Sequence, residues 1–498
     1  MGDIERLMTR ARMTDPVVLK YLHGCLNVKP LNCKLQQLQE NSSKFPVKFP
    51  VQTVLCRSIS SESDVTQSNL EKFVKSAYPI LHEEVISLYI KFLEYKKKYG
   101  SAEEKLFYAK KGIIELVDRF LKKRAVVFMG KEDAYVLLDG KKGKGGWEDV
   151  GNEGPKSALN LKDCLSYDEM KLSALLSVSS HSYFINDGNR LNAGQPAEYM
   201  ENIQRTGVVI GLTGARFERL EKMEWEDVLV TKEQNTDKKG YGAQNVASMP
   251  LFLWRQMWAS FYGLGPYLPL YSQVEKYFPK LAQRYVKMDQ DYFDNIAYSN
   301  RMAISFETLL LEAQHRAEEA QTSAYIHVVG IGLGGAWMAS QHQEEVFMDS
   351  FAYALKRLLP ALPNVSDINF SSFKQTSCGG VVHGGFFYSK ARPKGIQIHF
   401  SKRNPHEKID TLKDKLLVVT YPWDSNALPG NEFWIGSLTD SGGSAEACSS
   451  QISELHNPHI NSTRICGSNL HIATTSWGVI HVSEFARWKH VVSKTQTL

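Results

Sequence analysis

Apolar side chains recur at three- and four-residue spacing over residues 69–99, with Leu70, Phe73 and Val74 leading, and again over 102–123, with Ile113, Val117, Phe120 and Leu121. That period is the α-helical one and predicts two amphipathic helices forming a hairpin. A shorter helical pattern covers residues 4–22. The Pro/Ser-rich stretch that follows it, SSKFPVKFP through SISSESD, reads as linker or surface loop. β pattern takes over at 125–129 and 134–138, and the loop GKKGKGG after it is expected to be an exposed hairpin turn, since it lacks the ending a P-loop requires. Ser166 and Glu169 carry the spacing of a capping box and open a helix over 170–178. Residues 222–320, rich in aromatics at helical spacing, are expected to form a helical layer packed on a sheet.

The pattern changes character in the C-terminal third. Residues 325–337, YIHVVGIGLGGAW, run from an apolar β-branched strand straight into four glycines; a helix follows over 343–359, with Phe347, Phe351 and Leu355 on one face, and then a strand over 367–373. In a strand, glycine loop, helix, strand unit the loop lies at the strand's carboxyl end, where bare N–H groups hold a diphosphate. Gly330, Gly332 and Gly335 also satisfy G-x-G-x-x-G, so nicotinamide chemistry has to be weighed. The acid that would grip the ribose is missing: Asp349 falls inside the helix, and the second strand ends at Phe373-Lys374.

Two more strands, over 396–400 and 416–420, lead into YPWDSNALPGNEFW, which gathers Asp424, Asn426, Asn431 and Glu432 among Trp423, Gly430 and Trp434. Amides, carboxylates and aromatic faces on one loop are the makings of a ribose-phosphate site. A further polar candidate is the turn-rich segment 182–194, with Asn186, Asp187 and Arg190. His327 reads as a satisfied histidine within its strand. Cys378, beside two glycines, has no nameable His/Asp partner that would make it a nucleophile.

Composition narrows the class without choosing the chemistry. With 498 residues, 43% of them hydrophobic, the chain is globular and long enough for two or three domains. The divisions expected are an N-terminal helix and linker over 1–60, a helical hairpin with a short β segment over 61–150, and an α/β domain over 151–498 with a helical insertion at about 222–320. A net charge of +5 argues against a general nucleic-acid or membrane surface. Seven scattered cysteines without a CxxC suggest reduced thiols in a cytoplasmic setting, with neither a disulfide framework nor a metal site. No secretory leader or membrane span is read.

Taken together, IHVVGIGLGGAW, FMDSFAYALKRL, INFSSF, IQIHFSKRNP and LLVVTYPWDSNALPGNE resemble the macrodomain family, specifically its divergent arginine-directed ADP-ribosyl hydrolase type represented by the bacterial effector MavL and its eukaryotic relatives. The resemblance spans roughly residues 180–475. It implies a three-layer α/β/α mixed sheet in which the strands that come first in an ordinary macrodomain come last, preceded by a mainly helical N-terminal region. By position it places diphosphate against Gly330, Gly332, Gly334 and Gly335, with Trp337 nearby, and sets Asp424, Asn426, Asn431 and Glu432 around the distal ribose; Ile331, Leu333, Trp423 and Gly430 complete the implied ADP-ribose-binding set. Asp424, Glu432 and Asn426 are implied as the catalytic set, with no cofactor. ADP-ribose or an ADP-ribosylated protein is the implied partner, and the implied reaction is removal of ADP-ribose from a protein side chain, arginine first. A non-catalytic ADP-ribose reader and an NAD-dependent oxidoreductase are the alternatives. Two departures matter: where macrodomains set an acid against adenine this chain offers Arg403 and Asn404, and residues 374–406 contain no Asp or Glu. Were the catalytic acids required there, the protein would bind without cleaving.

Overall fold

A computed structural model describes residues 15–152, 159–243, 248–409, 414–424 and 426–495. Ten strands make one mixed sheet: β1 (Tyr78–His82), β2 (Leu176–Tyr183), β3 (Thr206–Leu212), β4 (Ser323–Val328), β5 (Val365–Ser371), β6 (Phe386–Ser389), β7 (Arg392–Ser401), β8 (Lys415–Pro422), β9 (His471–Thr474) and β10 (Gly478–His481). Their spatial order is 6-7-5-4-8-3-2-1-9-10. The run 7-5-4-8-3 is parallel throughout. The carboxyl ends of five neighbouring strands therefore open on the same edge, where ligands of α/β sheets bind.

Alternation along the strands builds two cores. Ala324, Ile326 and Val328 of β4 face one apolar cluster, while Tyr325 belongs to the other. The first face is covered by two long helices, Asn295–Glu319 and Gln343–Leu358, whose Phe306, Phe347 and Phe351 interlock on it. Helices Glu83–Tyr99 and Ile113–Lys122 pack on the second face. The result is the expected three-layer α/β/α arrangement with a mixed sheet. Among the described residues no helix is long and apolar enough to cross a membrane.

The N-terminal half departs from its periodicity in several places, and the helix expected over 102–123 is two, Ala102–Tyr108 and Ile113–Lys122. The helix expected over 69–99 is two helices, Gln67–Ser76 and Glu83–Tyr99, with β1 between them. Pro79 in YPILH has no N–H for a helix interior, where it costs roughly 3 kcal/mol, and all five residues of the strand are buried. The Pro/Ser-rich stretch expected as linker is packed: Phe45 and Phe49 stand 5.3 and 5.1 Å from the Trp434 ring, and the Cys56 amide donates to Glu454 at 2.6 Å. Its apolar residues carry no period because they anchor irregular backbone one at a time. Of the helix expected over 4–22, Pro16–His23 is helical and residues 4–14 lie outside the described residues. The helical layer at 222–320 also contains a small sheet of Leu229–Val230, Tyr285–Met288 and Asp291–Asp294. The Ser166–Glu169 capping box forms as expected, but its helix is Tyr167–Ser173 rather than 170–178, and β2 begins at Leu176, where Leu176, Ser177 and Val178 pair with β1.

Candidate functional site

A cleft of about 610 Å³ opens at the carboxyl edge of the parallel strands. One wall is the glycine loop after β4. Thr420 of β8 closes the base of that loop, donating to the His327 carbonyl and accepting from the Val329 amide, each at 3.1 Å. Gln343, at the start of its helix, holds the Gly332 carbonyl at 3.0 Å. Gly332 needs to be glycine, with φ at +75° and a Cβ that would stand 3.0 Å from the Gly214 Cα. Gly334 and Gly335 face open space on the side where a Cβ would be. The loop thus presents bare backbone to the cleft, with Trp337 partly buried beside it. Ile331 and Leu333 turn their side chains into the core, so any ligand contact they make is through backbone.

The opposite wall is the loop after β8. Trp423 lines it while buried, its indole N–H donating to Ala427 at 3.1 Å and the Arg124 guanidinium lying 4.0 Å over its ring. Asp424 is recessed in the cleft and accepts from the Asn426 amide at 3.0 Å and from the Asn431 side chain at 3.4 Å. Asn431, entered through Gly430 at φ +98°, also clasps Phe128 across two hydrogen bonds of 2.9 and 3.0 Å. Glu432 accepts from Ser441 at 2.8 Å. Asn426 sits behind this wall: its side chain is buried and receives Arg216 at 2.9 Å, so it supports the loop without lining the cleft.

Glu218, from the loop after β3, joins Asp424 and Glu432 in the cleft, although it is not among the residues expected from the sequence. Its signal was the same as that of Asp424, a carboxylate a few residues past a strand end. Both neighbours are tied down. Arg216 pairs with Glu224 at 2.9 Å and Arg219 with Asp133 at 3.4 Å, whereas Glu218 makes no hydrogen bond to protein among the described residues. Burial pushes its carboxyl up, with Asp133 and Glu432 adding to the effect. Burial also pushes Asp424 up to about 7, opposed by the Asn426 amide and Arg216 and reinforced by Glu432 and Glu218.

The polar segment at 182–194 divides. Arg190 lines the cleft and donates to the Asp440 carbonyl. Asn186 is buried and spends its amide on Asn192, Gln195 and Cys448, while Asp187 accepts from Asn404 at 2.8 Å. Both line a larger, more open neighbouring groove of about 820 Å³ that no glycine loop backs. Trp434 is packed away from the cleft against Phe45 and Phe49. Cys378 is buried, with its thiol pushed up to about 12.

Residues 36–488 match the family described as ADP-ribosylhydrolase MavL-like. Two fruit-fly (Drosophila melanogaster) proteins are similar across nearly the whole length. The ADP-ribosylarginine hydrolase CG3568 is 43% identical over 460 residues, covering 91% of this chain and 88% of that protein. The ADP-ribosylarginine hydrolase CG2909 is 40% identical over 479 residues, covering 94% and 93%. With a matched family covering most of the sequence and a glycine-walled cleft at the strand ends, this chain belongs to the MavL-like ADP-ribosylhydrolase family.

Proposed function

We propose that this protein hydrolyses the bond between ADP-ribose and an arginine side chain of a modified protein. The observation that carries the reading is Asp424, a carboxyl at about 7 grouped with Glu218 and Glu432 in a cleft whose facing wall is bare glycine backbone. Both fly relatives are ADP-ribosylarginine hydrolases by name, which supports arginine as the linkage. In this reading the diphosphate lies on the amides around Gly334 and Gly335, and the distal ribose lies between the glycine loop and the loop after β8. Asp424 takes a proton from water as its oxygen bonds to the anomeric carbon. The carbon–nitrogen bond breaks, its electron pair stays on the departing guanidine, and Asp424 returns the proton to that nitrogen. Glu218 and Glu432 face the cationic guanidinium in the ground state and the positive charge that spreads over the ribose ring in the transition state. Asn431 holds Asp424 in place.

An arginine-ADP-ribosylated protein incubated with this enzyme should lose its modification and release free ADP-ribose, followed by mass spectrometry. Binding of ADP-ribose without release would make the protein a reader. A nicotinamide redox reading gains no support from the site: β5 ends in Ser371, and Ser372 and Phe373 follow, leaving no acid for a ribose.

A further inference from the structure

His327, expected as a satisfied strand residue, keeps one ring nitrogen unpaired. It is 1% exposed on β4. Its Nδ1 receives an Arg403 guanidinium nitrogen at 3.1 Å and the Asn369 amide nitrogen at 3.5 Å. Both partners donate, so Nδ1 accepts and the neutral ring carries its proton on Nε2. That Nε2–H is buried and meets no acceptor among the described residues, and His327 is one of the residues lining the cleft.

Glu446 is its complement. It lines the same cleft from helix Gly442–Ala447 and is 4% exposed. Its Oε2 lies 3.2 Å from His406 Nε2, and its Oε1 is buried without a partner. One loop touches both residues: after β7, Arg403 holds His327 at 3.1 Å, and His406, stacked on Phe184 at 3.7 Å, lies against Glu446. An orphan donor and an orphan acceptor therefore line one cleft beside the loop after β7, the donor on β4, which lies across β8 from the strand whose loop carries Glu218. Buried unpaired groups destabilise the free protein, and a ligand that satisfies both recovers the loss.

We propose that His327 and Glu446 read the purine base of the nucleotide: the His327 Nε2–H donates to a ring nitrogen and Glu446 Oε1 accepts from the 6-amino group. This rests on the ADP-ribose reading of the cleft. With the diphosphate on the glycine loop and the distal ribose at the carboxylates, the adenosine half falls at this end. Adenine sets an amino donor next to a ring acceptor on either edge that includes position 6. Hypoxanthine replaces the amino group with a carbonyl, which would turn an acceptor toward the carboxylate.

Calorimetry on the full chain with ADP, inosine diphosphate, 1-deaza-ADP and 7-deaza-ADP tests this without altering the protein. Inosine diphosphate should bind at least tenfold more weakly than ADP, and one of the two deaza analogues should also weaken. His327→Phe should bind ADP as weakly as the wild type binds that analogue and lose nothing further with it. Affinities within twofold of ADP for all three analogues overturn the proposal. Absence of binding by ADP-ribose itself overturns the ADP-ribose reading as well, whereas tight ADP-ribose binding that ignores the base overturns this inference alone.

Discussion

Asp424 is a carboxyl whose surroundings place it near neutrality, where it can both take and return a proton. Asp424→Asn should lower ADP-ribose release by ~100-fold or more while leaving ADP-ribose binding intact; unchanged turnover would take Asp424 out of the reaction. The wild-type rate should climb with pH through about 7, as the carboxylate forms, and then level off. Stability moves the other way. A carboxyl raised in the folded state adds stability that is complete below its unfolded value and is lost as pH rises through the folded one. Asp424→Asn should therefore melt above the wild type at pH ~8 and level with it near pH ~4, by thermal denaturation at both. The sequence named this residue because a strand ended beside it; only the cleft around it supplies the burial that changes its chemistry.

Among the elements, the loop after β3 shows how a site residue is presented. Glu224 is 1% exposed and accepts from Arg216 and from Arg301 of the long helix Asn295–Glu319, each at 2.9 Å. Although burial opposes ionisation, the two arginines hold its carboxyl down to about 2. This lattice fixes the loop from which Glu218 projects and, through Arg216, grips Asn426 in the facing wall. Breaking one member of a buried pair costs about 3–5 kcal/mol, and Glu224→Gln should destabilise on that scale in denaturant titrations at neutral pH. A depressed carboxyl contributes stability above its unfolded value of 4.5 and loses it as pH falls toward about 2, so the gap between variant and wild type should close over that window. An undiminished gap at the acid end would mean that packing rather than charge does the holding. None of this was legible along the chain, because Arg301 lies 77 positions from Glu224 and meets it only through the fold.

For the whole molecule, the decisive strand is β1. Ile80 pairs with Ser177 on one side and with His471 on the other, so a strand from the N-terminal region joins segments almost 300 positions apart. A chain starting at residue 151 would expose the edges of β2 and β9 and uncover the apolar face that Glu83–Tyr99 and Ile113–Lys122 protect. Such a truncation should be insoluble or melt without a cooperative transition. A soluble fragment with one sharp transition would show that the α/β part folds alone.

The sequence by itself determined what local pattern can specify: the strand entering the glycines, the helix after it, the capping box at Ser166, and the loop that carries Asp424, Asn431 and Glu432. Alternation, helical period and bare glycine backbone act over a few residues, and at these places they carry through into the fold. The tertiary structure decided what depends on long-range meeting. It put β1 inside the sheet, docked the Pro/Ser-rich stretch on Trp434, and brought Glu218 to Asp424 from more than 200 positions away. It also settled which polar atoms are paired, leaving a donor on His327 and an acceptor on Glu446 in the wall of the cleft. Burial, ion pairing and unsatisfied hydrogen bonds are properties of neighbours in space, and a chain acquires those neighbours only by folding.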